Sequence, residues 1–158
     1  MNEMKYAYDK LYISDAMSAR GSLFLQVVRD RSEIDFNHFY KGFMTCTTTQ
    51  ALDTGWPRVA CLNGTELLHH LEEYEPHLFI KGEHDWWESA AEWSGWFLCV
   101  FQWYWNIPSP KIAKVYTPDV LLRIWPGAHS QGLMSFVQNN PLLDIDDSPP
   151  VYEPVYNR

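Results

Sequence analysis

Residues Trp86 to Trp105, WWESAAEWSGWFLCVFQWYW, hold six of the chain's eight tryptophans in twenty positions. Tryptophan and tyrosine carry large apolar bodies with a polar handle, so such density must be buried in a core, in a membrane or against a partner. On a helix turning about 100° per residue, Trp86, Ala90, Trp93, Phe97, Val100, Phe101 and Tyr104 fall within roughly a third of the circumference. A second face carries Trp87, Ala91, Leu98 and Trp105, and a third carries Glu88, Glu92, Trp96, Cys99 and Trp103. The first half is therefore amphipathic, with Asp85, Glu88 and Glu92 solvated near the positive N-terminus. From Trp93 onward the stretch is apolar on every side, the pattern of a helix inside a bundle. Gly95, with Ser94 and Ala91, lets a neighbouring helix approach closely. The uncharged run Trp93–Ile107 is fifteen residues long and contains Gln102 and Asn106. A spanning helix needs about 20 residues, so the membrane reading fails on length.

Along the rest of the chain helical punctuation recurs and strand alternation does not. A first helix is expected from about Lys5 to Arg29, with Leu11, Ala16, Ala19, Leu23 and Val27 in an apolar stripe and Gly21 as a weak point. Asp35 caps Phe36–Thr45, where Phe36, Phe39, Tyr40 and Phe43 recur at helical spacing. The segment TTTQALDTGWP reads as a loop or short helix closed by Gly55 and Pro57. Asn63 caps Gly64–Tyr74, with Glu66 placed as in a capping box. Pro76 and Gly82 mark the link to the aromatic helix. After it, Ser109-Pro110 and Thr117-Pro118 each set a hydroxyl cap before a proline, opening helices at Pro110–Val115 and Pro118–Trp125. Pro126-Gly127 is expected to break the chain before a last helix that ends near Gln138. The tail from 139 to 158, NPLLDIDDSPPVYEPVYNR with its preceding Asn, is acidic and proline-rich. It reads as an extended arm, disordered or laid across the domain or a partner. The expected architecture is mainly all-α: one helical domain, 1–138, of about six helices around the aromatic one, followed by that arm.

Charge is distributed unevenly. The formal net charge is −8. Between residues 61 and 108 eight acids (Glu66, Glu72, Glu73, Glu75, Glu83, Asp85, Glu88 and Glu92) face Lys81 alone. Such a region is a solvated helix face or a surface complementary to a basic partner. No basic stripe is available to neutralise phosphates, which disfavours direct nucleic-acid binding. The N-terminus MNEMKYAYDK has no apolar signal core, and Cys46, Cys61 and Cys99 lack metal or redox spacing. Reduced thiols in a cytoplasmic protein are expected.

Several motifs tempt toward chemistry. Asp53-Thr54-Gly55 matches the catalytic triplet of aspartic proteases, but that reaction needs two such aspartates sharing a proton, and a turn is expected here. His69, His70, His77 and His84 lie close together, yet only His69 and Glu73 keep a helical metal-ligand spacing, so no metal or other cofactor is expected. Pro149-Pro150-Val151-Tyr152 has the form of a polyproline ligand, partly echoed by Glu153-Pro154-Val155-Tyr156. Asn63-Gly64-Thr65 is a glycosylation sequon that the helix cap explains better. No phosphate loop or Ser/His or Cys/His catalytic set is present, so no catalytic residue is assigned.

The run Glu92-Trp93-Ser94-Gly95-Trp96-Phe97-Leu98, ending in Gln102-Trp103-Tyr104, resembles a group of small, uncharacterised bacterial accessory proteins. Their signature helix reads approximately E-Y-W-x-G-W-x-L-A-Y-Y-Q-W-Y. The similarity extends to Phe39–Phe43, Asn63–Leu67 and Ile112–Val137. Here Cys99-Val100-Phe101 replaces the A-Y-Y portion, and the acidic tail lies outside the pattern. Genes of that group often stand beside small ADP-ribosyltransferase-like proteins, in arrangements like toxin–antitoxin modules. The resemblance implies a cytoplasmic, non-catalytic partner-binding protein of antitoxin or immunity type. The expected contacts are Glu72, Glu73, Glu75, Asp85, Trp87, Glu88, Glu92, Tyr152 and Tyr156, meeting a protein with a basic surface or cleft, of the kind encoded beside the genes of that group. Two other classes fit the residues: an acidic inhibitor that mimics nucleic acid, and an enzyme or small-ligand binder with a pocket lined by Trp and Tyr.

Overall fold

The computed structural model describes residues 6–143, 145 and 147–153. Among them the chain forms nine α-helices and no strand: α1 (Ile13–Asp30), α2 (Phe36–Thr45), α3 (Thr47–Asp53), α4 (Pro57–Ala60), α5 (Gly64–Tyr74), α6 (Glu88–Trp105), α7 (Ser109–Ala113), α8 (Pro118–Ala128) and α9 (Leu133–Asn139). Single 3₁₀ turns at Lys10–Tyr12 and Pro76–Leu78 complete the list. The all-α expectation holds, and the aromatic helix is its central post. No helix among the described residues is long and apolar enough to cross a membrane.

Against this post α1 lies antiparallel. The backbone of Ala7, just before α1, donates to the Trp103 carbonyl near the end of α6 at 3.0 Å. Arg29, at the other end of α1, lies within the field of Glu88 at the start of α6. At the crossing point Gly95 meets Arg20 and Gly21 backbone to backbone. A Cβ on Gly95 would sit 2.5 Å from the Arg20 carbonyl oxygen and 2.8 Å from the Gly21 Cα. The absence of that carbon is what lets the helices close. On the other side of α1, Phe24 inserts into α2. Phe36, Phe39, Tyr40 and Phe43 surround its ring edge-on, with centroids 5.5–6.4 Å away. Such pairs add about 0.5–1.5 kcal/mol each beyond their area burial. The far side of α6 carries a ladder in which Trp93 stacks on Phe97 at 5.0 Å. Tyr116 and Phe136 then cover Phe97 at 4.9 and 5.6 Å.

Three of the caps follow the sequence closely. Asp35 accepts from the His38 amide at 3.0 Å. Asn63 and Glu66 complete a reciprocal capping box at 2.8 and 2.9 Å. Thr117 accepts from Val120. Other expectations are corrected. The first helix starts at Ile13 rather than Lys5: Tyr6 stacks on Trp103 at 4.2 Å, the Ala7 amide donates to the Trp103 carbonyl, and Asp9 caps the 3₁₀ turn that leads into the helix. The number of helices exceeds six because TTTQALD and Pro57–Ala60 each complete a short helix. Ser109 is the first residue of α7 rather than its cap; its hydroxyl is taken by Asp53. Pro126 does not break the chain. It lies inside α8, which runs on for two residues to Ala128 although the proline ring supplies no amide to the ladder.

Candidate functional site

The sequence-predicted contact residues separate into those the fold exposes and those it uses internally. Asp85, Trp87, Glu88 and Glu73 are exposed, and Glu92 and Glu72 are partly buried. Trp87 retains 61% of its surface although it lies at the mouth of the aromatic helix. Its ring meets Trp125 edge-to-face at 5.2 Å, and Trp125 stacks on His129 at 4.4 Å. The N-terminus of α6 thus presents a supported aromatic platform, with Glu88 in the first turn and Asp85 just before it. Glu72 is taken by a fork from Arg31, at 3.0 and 3.1 Å, which neutralises it locally.

Two residues leave that surface. Glu75 is completely buried: its Oε1 accepts from the Thr47 hydroxyl at 3.3 Å and from the Thr48 hydroxyl and amide at 3.2 and 3.4 Å. It follows Tyr74, the last residue of α5, where the chain turns inward toward α3. Tyr152 is half-buried, and its hydroxyl donates to Asp53 Oδ2 at 2.7 Å. The tail is laid back on the domain there, and the Glu153 amide donates to the Thr45 carbonyl at 2.6 Å. Tyr156 lies outside the described residues.

The signature residues serve the core. Trp93, Gly95, Gln102 and Trp103 are buried, while Trp96 and Tyr104 are half-buried. Trp103 Nε1 donates to the Tyr8 carbonyl at 2.8 Å, and the Gln102 amide donates to the Asp53 carbonyl at 3.2 Å. Trp96 lies against Gly21, and Tyr104 meets Trp105 edge-to-face at 4.8 Å. Each polar handle named is satisfied by a long-range partner, which fixes the register of α6 against its surroundings.

Sequence reasoning missed a buried polar cluster centred on Asp53. This carboxylate is 5% exposed. It accepts from the Ser109 hydroxyl at 2.6 Å, the Ser109 amide at 2.7 Å and the Tyr152 hydroxyl. Burial pushes its pKa up, opposed by the charge of Arg20 and by the Ser109 and Tyr152 donors. Neighbouring hydroxyl and thiol groups respond in the same direction: burial raises Tyr8, Tyr152 and Cys99. Arg20 is 3% exposed, stands 5.5 Å above the Phe43 ring, and leaves its Nη1 without a hydrogen-bond partner. Asp53 was visible in the sequence as part of Asp-Thr-Gly, but its hydrogen-bond partners are hydroxyls and an amide, not a second carboxylate. Arg20 gave no signal beyond a lone base on the apolar side of α1. No group of three or more His, Cys, Asp or Glu side chains converges as a metal site among the described residues. In comparisons with known proteins, no family model matches the chain, and no curated protein or solved structure matches it either.

Proposed function

We propose that this protein is a non-catalytic binding protein whose acidic, tryptophan-bearing face at the start of α6 engages a basic surface or cleft on a protein partner. The observation that carries the reading is Trp87. A large aromatic side chain stays 61% exposed, braced by Trp125, beside Asp85 and Glu88. Aromatic anchors ringed by polar groups are the usual energetic centres of interfaces, and carboxylates around them steer a cationic partner. The resemblance of the aromatic helix to bacterial accessory proteins makes the concrete form an antitoxin or immunity-type neutraliser acting in the cytoplasm.

The test is purification of the full chain from its native cell, with identification of any stoichiometric, neighbour-encoded protein. Capture is then repeated with Trp87→Ala and with the double variant Glu88→Lys, Glu92→Lys. Trp87→Ala is expected to cost about 2 kcal/mol of binding, the level of an interface hot spot. The charge reversals should slow association and flatten its salt dependence. A stoichiometric partner indifferent to both variants removes this face from the interface. A chain that emerges alone removes the reading itself.

A further inference from the structure

A cavity of about 220 Å³ opens between the start of α1, the turn after α3 and the link from α4 to α5. Tyr8, Tyr12, Ala16, Ala19, Arg20 and Cys61 are among its lining residues, and Arg20 is the one charged residue among the described lining. Arg20 is 97% withdrawn from solvent, being 3% exposed. Its Nη1 is orphaned, and no ion pair reaches its guanidinium among the described residues. Asp53 feels its charge, but the aspartate's hydrogen bonds come from Ser109 and Tyr152. Phe43 lies against the guanidinium with no formal charge to offer. A buried cation without a contacting counter-ion is costly, and an anion entering the cavity removes that cost.

We propose that this cavity binds a small organic monocarboxylate, its carboxylate paired with Arg20 and its apolar body held against Ala16, Ala19 and the Tyr12 ring. The guanidinium fork matches a carboxylate bidentately. One fixed positive charge and no second base in the lining match a single negative charge, not a polyphosphate. The size is also suitable: a dry cavity of about 150 Å³ admits benzene, so 220 Å³ admits one ring or a short chain with its carboxylate. The inference stands apart from the partner-binding face. The cavity lies against Tyr12–Arg20, whereas Glu88 lies near Arg29, at the other end of α1. Either can fail alone.

The experiment titrates the full chain with benzoate, hexanoate, neutral benzyl alcohol and inorganic phosphate. Calorimetry reads binding, and protection of the exposed Cys61 thiol from a disulfide reagent reads occupancy of the cavity. One equivalent of benzoate or hexanoate should bind and slow Cys61 modification. Arg20→Gln should weaken binding at least about tenfold, as expected for losing hydrogen bonds from a charged group. Ala16→Leu, which fills the cavity and leaves Arg20 in place, should abolish binding, and it decides the matter if Arg20→Gln does not fold. Failure of both carboxylates to saturate overturns the proposal. So does equal binding of benzyl alcohol, binding of phosphate in their place, or unchanged binding by folded Ala16→Leu.

Discussion

Gly95→Ala puts the α1–α6 crossing to a direct test. The new methyl would stand 2.5 Å from the Arg20 carbonyl oxygen and 2.8 Å from both the Arg20 carbonyl carbon and the Gly21 Cα, where ordinary contact starts at 3.4 Å. All three are backbone atoms, which cannot rotate aside. The helices must therefore separate by about 0.9 Å, and a gap of that size forfeits a quarter to a half of the dispersion well at each contact along the seam. Overpacking of this kind costs roughly 1–3 kcal/mol, and the upper end applies where the obstacle is backbone. Alanine returns about 1 kcal/mol through its better helix propensity. The expected net loss is about 2 kcal/mol, or a fall in Tm of roughly 4–8 °C for a chain of this length. Urea unfolding followed by tryptophan fluorescence measures it, since six tryptophans lie in or next to α6. Gly127→Ala is the matched control. It lies in α8 with nothing within 4 Å of its added Cβ, so only the propensity gain remains, up to about 1 kcal/mol of stabilisation. Equal stability of Gly95→Ala and wild type, or a Gly95→Ala variant as stable as Gly127→Ala, would show that the helices do not cross here as closely as described.

Two further predictions concern buried titratable groups. Asp53→Asn replaces a carboxylate that accepts three hydrogen bonds with an amide whose NH₂ faces donors, so it should destabilise by about 1–3 kcal/mol through an unsatisfied buried group. The pH dependence has a definite sign. Burial raises the native pKa of Asp53 above its unfolded value of about 3.9. Between those two values the native state binds more protons, so wild-type stability falls as pH rises through that window. The gap between wild type and Asp53→Asn should be widest in acid and narrow toward neutrality; denaturant titrations showing a gap that widens with pH would contradict this. For the thiols, Cys61 is exposed, whereas burial pushes Cys46 up to about 12 and also raises Cys99. A thiol reagent should modify Cys61 rapidly in the native protein and the other two only at the rate of unfolding. Two or more fast thiols would refute the burial of Cys46 or Cys99.

How much of this was legible depended on whether the deciding interaction was local. The starts of α2 and α5 were readable to the residue, because Asp35, Asn63 and Glu66 act within one turn of the backbone groups they cap. The burial of α6 from Trp93 onward was readable because an all-round apolar helix has no solvated alternative. Gly95 was recognisable as a point of close approach, though not its partner. The start of α1 was misplaced because Lys5–Tyr12 is a competent helical sequence. Tyr6 and Ala7 are instead held against Trp103, nearly a hundred residues away, and Asp9 caps a 3₁₀ turn ahead of the helix. Glu75 looked like one more member of an acidic run. Its inward turn is dictated by Thr47 and Thr48, which lie before it in sequence by nearly thirty residues.

The Asp53 cluster shows the same limit in its strongest form. Local reading made Asp53 part of a turn, Ser109 a helix cap and Tyr152 part of a peptide-like motif in an arm either disordered or laid across the domain or a partner, and each assignment satisfied its own neighbourhood. The fold instead joins them over separations of 56 and 99 residues. A missing donor is costly to a carboxylate at this depth, which ties the three segments together. Once Tyr152 is committed to Asp53, the tail cannot also offer that hydroxyl to a partner. The arm keeps Leu143 and Val151 exposed, but the exposed ring that a second aromatic braces is Trp87, held by Trp125. For that reason the tryptophan, and not the proline-rich arm, is the stronger place to look for an interface.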